Sequence, residues 1–182
     1  MTRSLLQASA ILGLVLTLSV LACDTKSSSG RNDGITTVIL VRHAEKDSVG
    51  DDPELTAAGE ERALALAHVV GEANVSAVYA TEFARTRNTA LPLANLLGLE
   101  VVAFAPSESY VTDMAELVLG RHRGEVVVIV SHSNTVPAII GELGVYPVPV
   151  INDDEYDDLY VVTIAPGGQV SLLPLRYGRE TA

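Results

Sequence analysis

Two arginines and two histidines in this chain stand at or just beyond the ends of short apolar runs. Arg42 and His43 follow Ile35 to Val41, Arg85 comes soon after Val75 to Ala80, and His132 follows Glu125 to Val130 within Ser131-His132-Ser133-Asn134. A guanidinium presents a planar fork that matches phosphate oxygens, and an imidazole can act as nucleophile or as acid and base near neutral pH. An Arg-His pair alone is a common dipeptide, and a lone strand-end histidine ordinarily does no more than cap the next helix. Together they say more. If the runs are parallel strands, their tips open on one edge of a sheet, where α/β proteins hold ligands, and the four side chains can converge on one tetrahedral anion.

The sequence between these residues supplies the elements that such convergence needs. Short β-branched runs alternate with helical patterns, which predicts an α/β fold, a three-layer αβα sandwich around a mostly parallel central sheet. Strands are expected at 35–41, 75–80, 100–105 and 125–130, the last an almost unbroken apolar run suited to the centre of a covered sheet. Helices are expected at 57–71, with Thr56 as N-cap, at 83–97, with Pro92 bending it and Gly98 ending it, and at 112–122 and 135–143. Residues 159–164 and 169–175, joined through Pro166-Gly167-Gly168, read as a closing hairpin at a sheet edge.

Residues 1–22 read as a targeting segment rather than as core. Arg3 gives a positive start, Ala8 to Leu21 is apolar and uncharged, and the stretch closes on Leu21-Ala22-Cys23. A small residue before the only cysteine resembles the bacterial lipoprotein signal, in which that cysteine is lipidated and becomes the mature N-terminus, although Leu21 stands where a smaller residue is usual. A secretory signal cleaved nearby and an uncleaved anchor helix are the alternatives, and all three export the domain. Residues 23–34, polar and rich in serine and glycine, read as a flexible tether, and 35–182 as one domain. A single cysteine excludes an intrachain disulfide. The net charge of −11 gives a surface that repels nucleic acid and anionic lipid. Membrane contact is therefore expected through a lipid on Cys23, and any positive site must be built from a few arginines.

Four ordered segments resemble the histidine phosphatase superfamily, the phosphoglycerate mutase-like family. Val41-Arg42-His43-Ala44-Glu45 is similar to its N-terminal RHG or RHGE signature, with Ala44 for the common glycine. Leu55-Thr56-Ala57-Ala58-Gly59 resembles the LTxxG segment that opens the first helix. Residues 81–90, Thr-Glu-Phe-Ala-Arg-Thr-Arg-Asn-Thr-Ala, resemble SxLxRAxQTA, with Thr81 for serine, Thr86 for alanine and Asn88 for glutamine. Val130-Ser131-His132-Ser133 resembles the segment that holds the second histidine, with Ser131 for a common glycine.

The resemblance implies a phosphoglycerate mutase-like fold and a metal-independent phosphatase without a cofactor, acting on a phosphorylated small molecule or phosphoprotein. His43 would attack phosphorus through one ring nitrogen while a backbone carbonyl holds the other, giving a phosphohistidine that water cleaves. Arg42, Arg85 and His132 would bind the phosphoryl oxygens as charge redistributes. Positive neighbours should lower the pKa of His43, and a bound dianion should favour protonated His132. Glu108 fits the family's leaving-group acid; Asp113 is a second candidate, and a phosphoramidate leaving group could dispense with either. The ordinary reading of both is solvated charge near a helix N-terminus. Glu45 and Lys46 read as solvated loop charges, His68 and His122 as exposed helix residues. The acidic run from Asp153 to Asp158 reads as a solvated guard of the edge strand. Two other functions are weighed: a non-catalytic phosphate-binding envelope protein and a phosphoglycerate mutase, which export would separate from glycolytic substrates.

Overall fold

The computed structural model describes residues 34–181, and the expected signal segment, Cys23 and nearly all of the tether lie outside them. Six strands and four helices alternate as β1 (Thr36–Arg42), α1 (Ala57–Val70), β2 (Val75–Thr81), α2 (Ala84–Leu97), β3 (Val101–Phe104), α3 (Tyr110–Arg121), β4 (Val126–Ser131), α4 (Thr135–Glu142), β5 (Asp158–Ile164) and β6 (Val170–Arg176). The strands form one sheet in the order β3-β2-β4-β1-β5-β6. β1 runs parallel to β4, and β2 to both β3 and β4, while β5 and β6 are antiparallel. The sheet is thus mixed, with a parallel half that carries the strand tips of interest. Pro92 lies within α2 without ending it, and Gly98 terminates that helix in the left-handed conformation at φ 67°.

Strand alternation sends successive side chains to opposite faces, and each face has its own helical cover. Val38 and Leu40 of β1, with Val127 and Ile129 of β4, pack against Met114 and Val118 of α3 and Ile139 and Ile140 of α4. Ile39 and Val41, with Val128 and Val130, pack against Leu66 and Val70 of α1 and Leu93 of α2. β4 lies between β2 and β1 and is buried on both faces, which explains why its sequence is an apolar run rather than an alternating one.

The turn after β1 is pinned to α1 by a close backbone approach. The Glu45 carbonyl accepts from Thr56 N at 2.9 Å, and the Thr56 hydroxyl caps the helix by accepting from Gly59 N at 3.2 Å. A Cβ on Gly59 would stand 2.2 Å from the Glu45 carbonyl oxygen, so this position needs glycine for space. Glu45 was expected to be a solvated loop charge; instead its carboxylate takes a two-pronged hydrogen bond from the buried Arg62, at 2.7 and 2.9 Å. Arg62 also donates to the carbonyls of Tyr177 and Arg179, tying the C-terminal segment to the same point. Burial alone would raise the Glu45 pKa, but the Arg62 hydrogen bonds overcome it and hold the carboxyl below its ordinary value.

Two further readings are corrected by long-range partners. Asp157 and Asp158 are buried rather than solvated, with carboxylate oxygens 2.8 and 3.2 Å from the Arg176 guanidinium at the end of β6. His122 is largely shielded, between the Tyr79 hydroxyl at 2.6 Å and Glu125 at 2.7 Å, whereas His68 is exposed as expected. Breaking the Arg62 pair strands a carboxylate and two carbonyls, so Arg62→Met is expected to cost about 3 kcal/mol of stability. Urea denaturation monitored by circular dichroism measures this, and a loss within about 0.5 kcal/mol of zero would contradict it.

Candidate active site

Parallel register brings the tips of β1 and β4 level. Arg42 is the Cα partner of Ser131, the next residue His43 donates its backbone N–H to the Ser131 carbonyl at 2.8 Å, and His132 follows at the same edge. The His43 and His132 rings meet edge to face with centroids 5.5 Å apart. β2 ends at Thr81 on the other side of β4, and Arg85 sits in the first turn of α2 beyond it, its guanidinium 4.2 Å from the centre of the Phe83 ring. Phe83 in turn packs edge-on against His132 at 5.5 Å. The two arginines and two histidines singled out in the sequence therefore gather at one edge of the sheet.

His43 is 4% exposed, and its Nδ1 lies 2.8 Å from the Ala44 carbonyl oxygen. A carbonyl only accepts, so Nδ1 carries the proton and Nε2 presents a lone pair. Thr89 secures this turn by accepting from Ala44 N at 2.9 Å while its hydroxyl donates to the Arg85 carbonyl at 2.7 Å. Burial, chiefly, lowers the His43 pKa from 6.5 to about 3; the Ala44 hydrogen bond opposes the shift, and His132, Arg42 and Arg85 add to it. His43 is thereby a neutral, oriented imidazole at any ordinary pH, with the Nε2 lone pair that a nucleophile requires.

His132 is held by a chain of hydroxyls. The buried Thr86 hydroxyl lies 2.9 Å from the Thr81 carbonyl and 2.8 Å from the Phe83 carbonyl, so its one proton points to carbonyl oxygen. The Thr81 hydroxyl, 2.8 Å from Thr86 Oγ1, must then donate to it, which leaves Thr81 as acceptor for His132 Nε2–H at 3.0 Å. His132 N also donates to Thr135 Oγ1, on the first residue of α4, at 3.0 Å. Burial, followed by Arg85 and Arg42, lowers the His132 pKa from 6.5 to about 4. Its expected protonation by a dianion therefore has to overcome a neutral resting state.

The arginines are positioned in different ways. Arg42 Nη1 is 2.9 Å from each of the carbonyl oxygens of Asn152, Asp153 and Glu155, with its guanidinium carbon 4.1 Å from the centre of the Tyr156 ring. The acidic run was expected only to guard an edge; its main chain forms the seat of Arg42. Arg85 Nη1 lies 3.6 Å from the carboxylate of Asp52, which also receives Ala84 N at 3.0 Å and so caps α2, whose own N-cap Phe83 offers no side-chain acceptor. The Nε–H groups of both arginines are buried without a hydrogen-bond partner, two donors suited to an incoming oxyanion.

Beside Arg85 and His132 opens a cavity of about 550 Å³ that includes Glu108, Ser107, Tyr110 and Asn134 in its lining. Asp113 is not part of that lining; its carboxylate accepts from Ser109 Oγ at 2.8 Å in the first turn of α3, as its ordinary reading expects. Sequence reasoning gave no role to Asp52, Tyr156 or the hydroxyls of Thr81, Thr86 and Thr89. The three threonines lie inside the segment that resembles a family motif, and that was the available signal.

The model of the histidine phosphatase superfamily (branch 1) matches residues 38–105, from β1 through β3. Among solved structures, the protein histidine phosphatase SixA, solved with tungstate, is similar over 77% of this chain and 96% of its own, at 19% identity and a TM-score of 0.63. A mycobacterial glucosyl-3-phosphoglycerate phosphatase is similar over 79% of this chain and 100% of its own, at 16% identity and a TM-score of 0.61. A phosphoglycerate mutase from Plasmodium falciparum is similar over 77% and 89%, at 16% identity and a TM-score of 0.57. These likenesses show the phosphoglycerate mutase-like fold, and with the family match they support a place in the histidine phosphatase superfamily. No curated protein matches the chain significantly.

Both histidines are kept neutral in the fold while the unfolded chain protonates them below about pH 6.5, so the unfolded state binds more protons as pH falls. Stability is accordingly expected to decline from pH 6.5 toward the folded values of about 3 and 4. In an NMR titration the His43 ring should stay neutral down to pH 5, and a midpoint near 6.5 would contradict the geometry. Thr86→Val keeps shape but removes the hydroxyl that orients Thr81. It should weaken vanadate binding about fivefold, and Thr86→Ser should restore it; unchanged binding by the valine variant would dismiss the relay.

Proposed function

We propose that the protein is a metal-independent phosphatase that hydrolyses phosphomonoesters or phosphoramidates through a phosphohistidine on His43. The observation that carries this reading is the protonation geometry of His43: Nδ1–H committed to the Ala44 carbonyl, Nε2 bearing a lone pair, and three phosphate-binding candidates around it. In the first step Nε2 attacks phosphorus and the P–O or P–N bond breaks, its electron pair leaving with the alcohol or amine. Arg42 and Arg85 stabilise the oxygens of the transferring group, and His132, whose Nε2–H is committed to Thr81, joins them once the bound dianion draws a proton onto its Nδ1. In the second step water attacks the phosphohistidine, the P–N bond to His43 breaks, and phosphate departs. The tungstate complex of SixA and a phosphate complex of the mycobacterial phosphatase support a tetrahedral oxyanion as the ligand.

Glu108 is our assignment for the proton delivered to the leaving group, because it is the carboxylic side chain in the cavity lined by Arg85 and His132. The same group would then take a proton from the attacking water. From the sequence of residues 1–23 we further propose that the enzyme works in a bacterial envelope, tethered by a lipid on Cys23. Fatty-acid labelling that is lost in Cys23→Ser would support the tether, and labelling that persists would refute it.

Brief incubation with labelled phosphoester, followed by denaturing quench, should trap an acid-labile, base-stable phosphoprotein in the wild type and none in His43→Ala. Turnover that survives in His43→Ala would sink the mechanism. Glu108→Gln should lower kcat by about 100-fold on alkyl phosphates, yet only slightly on p-nitrophenyl phosphate, whose leaving group needs no proton. Equal losses on both would remove Glu108 from this role. A phosphate-binding protein without catalysis would bind vanadate while hydrolysing neither substrate.

A further inference from the structure

The rest of the substrate must lie where the cavity leads away from Arg85 and His132, and the charges there are unlike those at the phosphoryl end. The lining combines Phe83, Pro106, Tyr110 and Val111 with the polar Ser107 and Asn134, and its one carboxylate is Glu108. Among the described residues, Arg85 and His132 are its only basic side chains, and both are taken by the phosphoryl group in the reading above. Lys46 and Arg87 are exposed outside this lining.

Helix N-termini could substitute for missing cations, since their partial positive charge favours anions. Of the three that begin after β2, β3 and β4, two are already answered by acids of the chain. α3 has Asp113 in its first turn and Glu108 just before it. α2 has Asp52 on Ala84 N and beside Arg85. The third, α4, begins next to His132 and so belongs to the phosphoryl end. An anionic group on the leaving side would find no countercharge there and would meet the Glu108 carboxylate whenever Glu108 does not carry the proton it delivers, while an ammonium or a hydroxyl would meet a carboxyl oxygen that accepts.

Resting on the phosphatase reading, we propose that this cavity selects compact leaving groups that carry no second anionic group, neutral alcohols or cationic amines, and discriminates against carboxylated or bisphosphorylated substrates. The cavity volume is that of a small-molecule site. Pro106, Ser107, Glu108 and Asn134 are solvent-exposed, so like charges here repel through water and are screened by salt, and the selection is accordingly electrostatic and salt-dependent.

Two near-isosteric pairs test this: glycerol 3-phosphate against 3-phosphoglycerate, and phosphoethanolamine against phosphoglycolate. The expected kcat/KM favours the first member of each pair by about tenfold or more, and the ratio contracts as salt is raised. Asn134→Lys, which sets a cation in the lining, should shift both ratios toward the carboxylated member by at least several-fold. Equal or greater kcat/KM for the carboxylated substrates in the wild type overturns the charge selection while leaving the phosphatase reading intact. Absence of turnover on all four, with no trapped phosphoprotein, overturns that reading and the selection with it.

Discussion

Most of the site hangs on how the three residues after β1 are held. Ala44 gives its carbonyl to His43 and its N–H to Thr89, while Glu45 rests its carbonyl on the α1 N-terminus and commits its carboxylate to Arg62. Each contact uses a group that would otherwise be free to turn. The result is a turn with almost no rotational freedom, so the imidazole is presented at one angle with one tautomer. Gly59 belongs to the same constraint, because the approach of the two backbones closes only where no Cβ intervenes. In the proposed mechanism a nucleophile set this way would meet phosphorus without first being reorganised, which is where positioning contributes most to phosphoryl transfer.

Much of this architecture was legible from residue types. The β-branched runs located every strand within about two residues, β4 most plainly, because a strand buried on both faces has few alternatives to Val and Ile. The convergence of Arg42, His43, Arg85 and His132 followed from strand tips alone. What stayed hidden was set by the chain far from each site in sequence. Glu45 looked like loop charge because its partner is 17 positions away on α1, and Asp157 looked solvated because Arg176 reaches it only once β5 and β6 pair. The seat of Arg42 had no signature at all, since main-chain carbonyls belong to every residue.

Charge at this edge is arranged in two zones. The phosphoryl end gathers guanidinium groups and neutral imidazoles in a buried setting, where burial dominates the histidine pKa values. Around it the helix N-termini of α2 and α3 are occupied by the chain's own carboxylates, so an overall acidic molecule still offers a confined positive point. Asp52 also keeps Arg85 partnered through a half-exposed contact, which the oxyanion of the proposed mechanism would displace.

Arg42 differs from Arg85 in what steadies it. Three carbonyl dipoles orient its guanidinium without bringing a formal negative charge, so it is fixed in place with no carboxylate to compete with a ligand. The Asp153 side chain takes no part in the seat, whereas the Glu155 carboxylate accepts from Asn152 N and Nδ2 at 2.8 and 3.0 Å and so helps the loop keep its path. What touches Arg42 is main chain throughout, so evolution can alter the letters that face it wherever another pair holds the loop as Asn152 and Glu155 do, and a comparison of related chains residue by residue would pass over the contact itself.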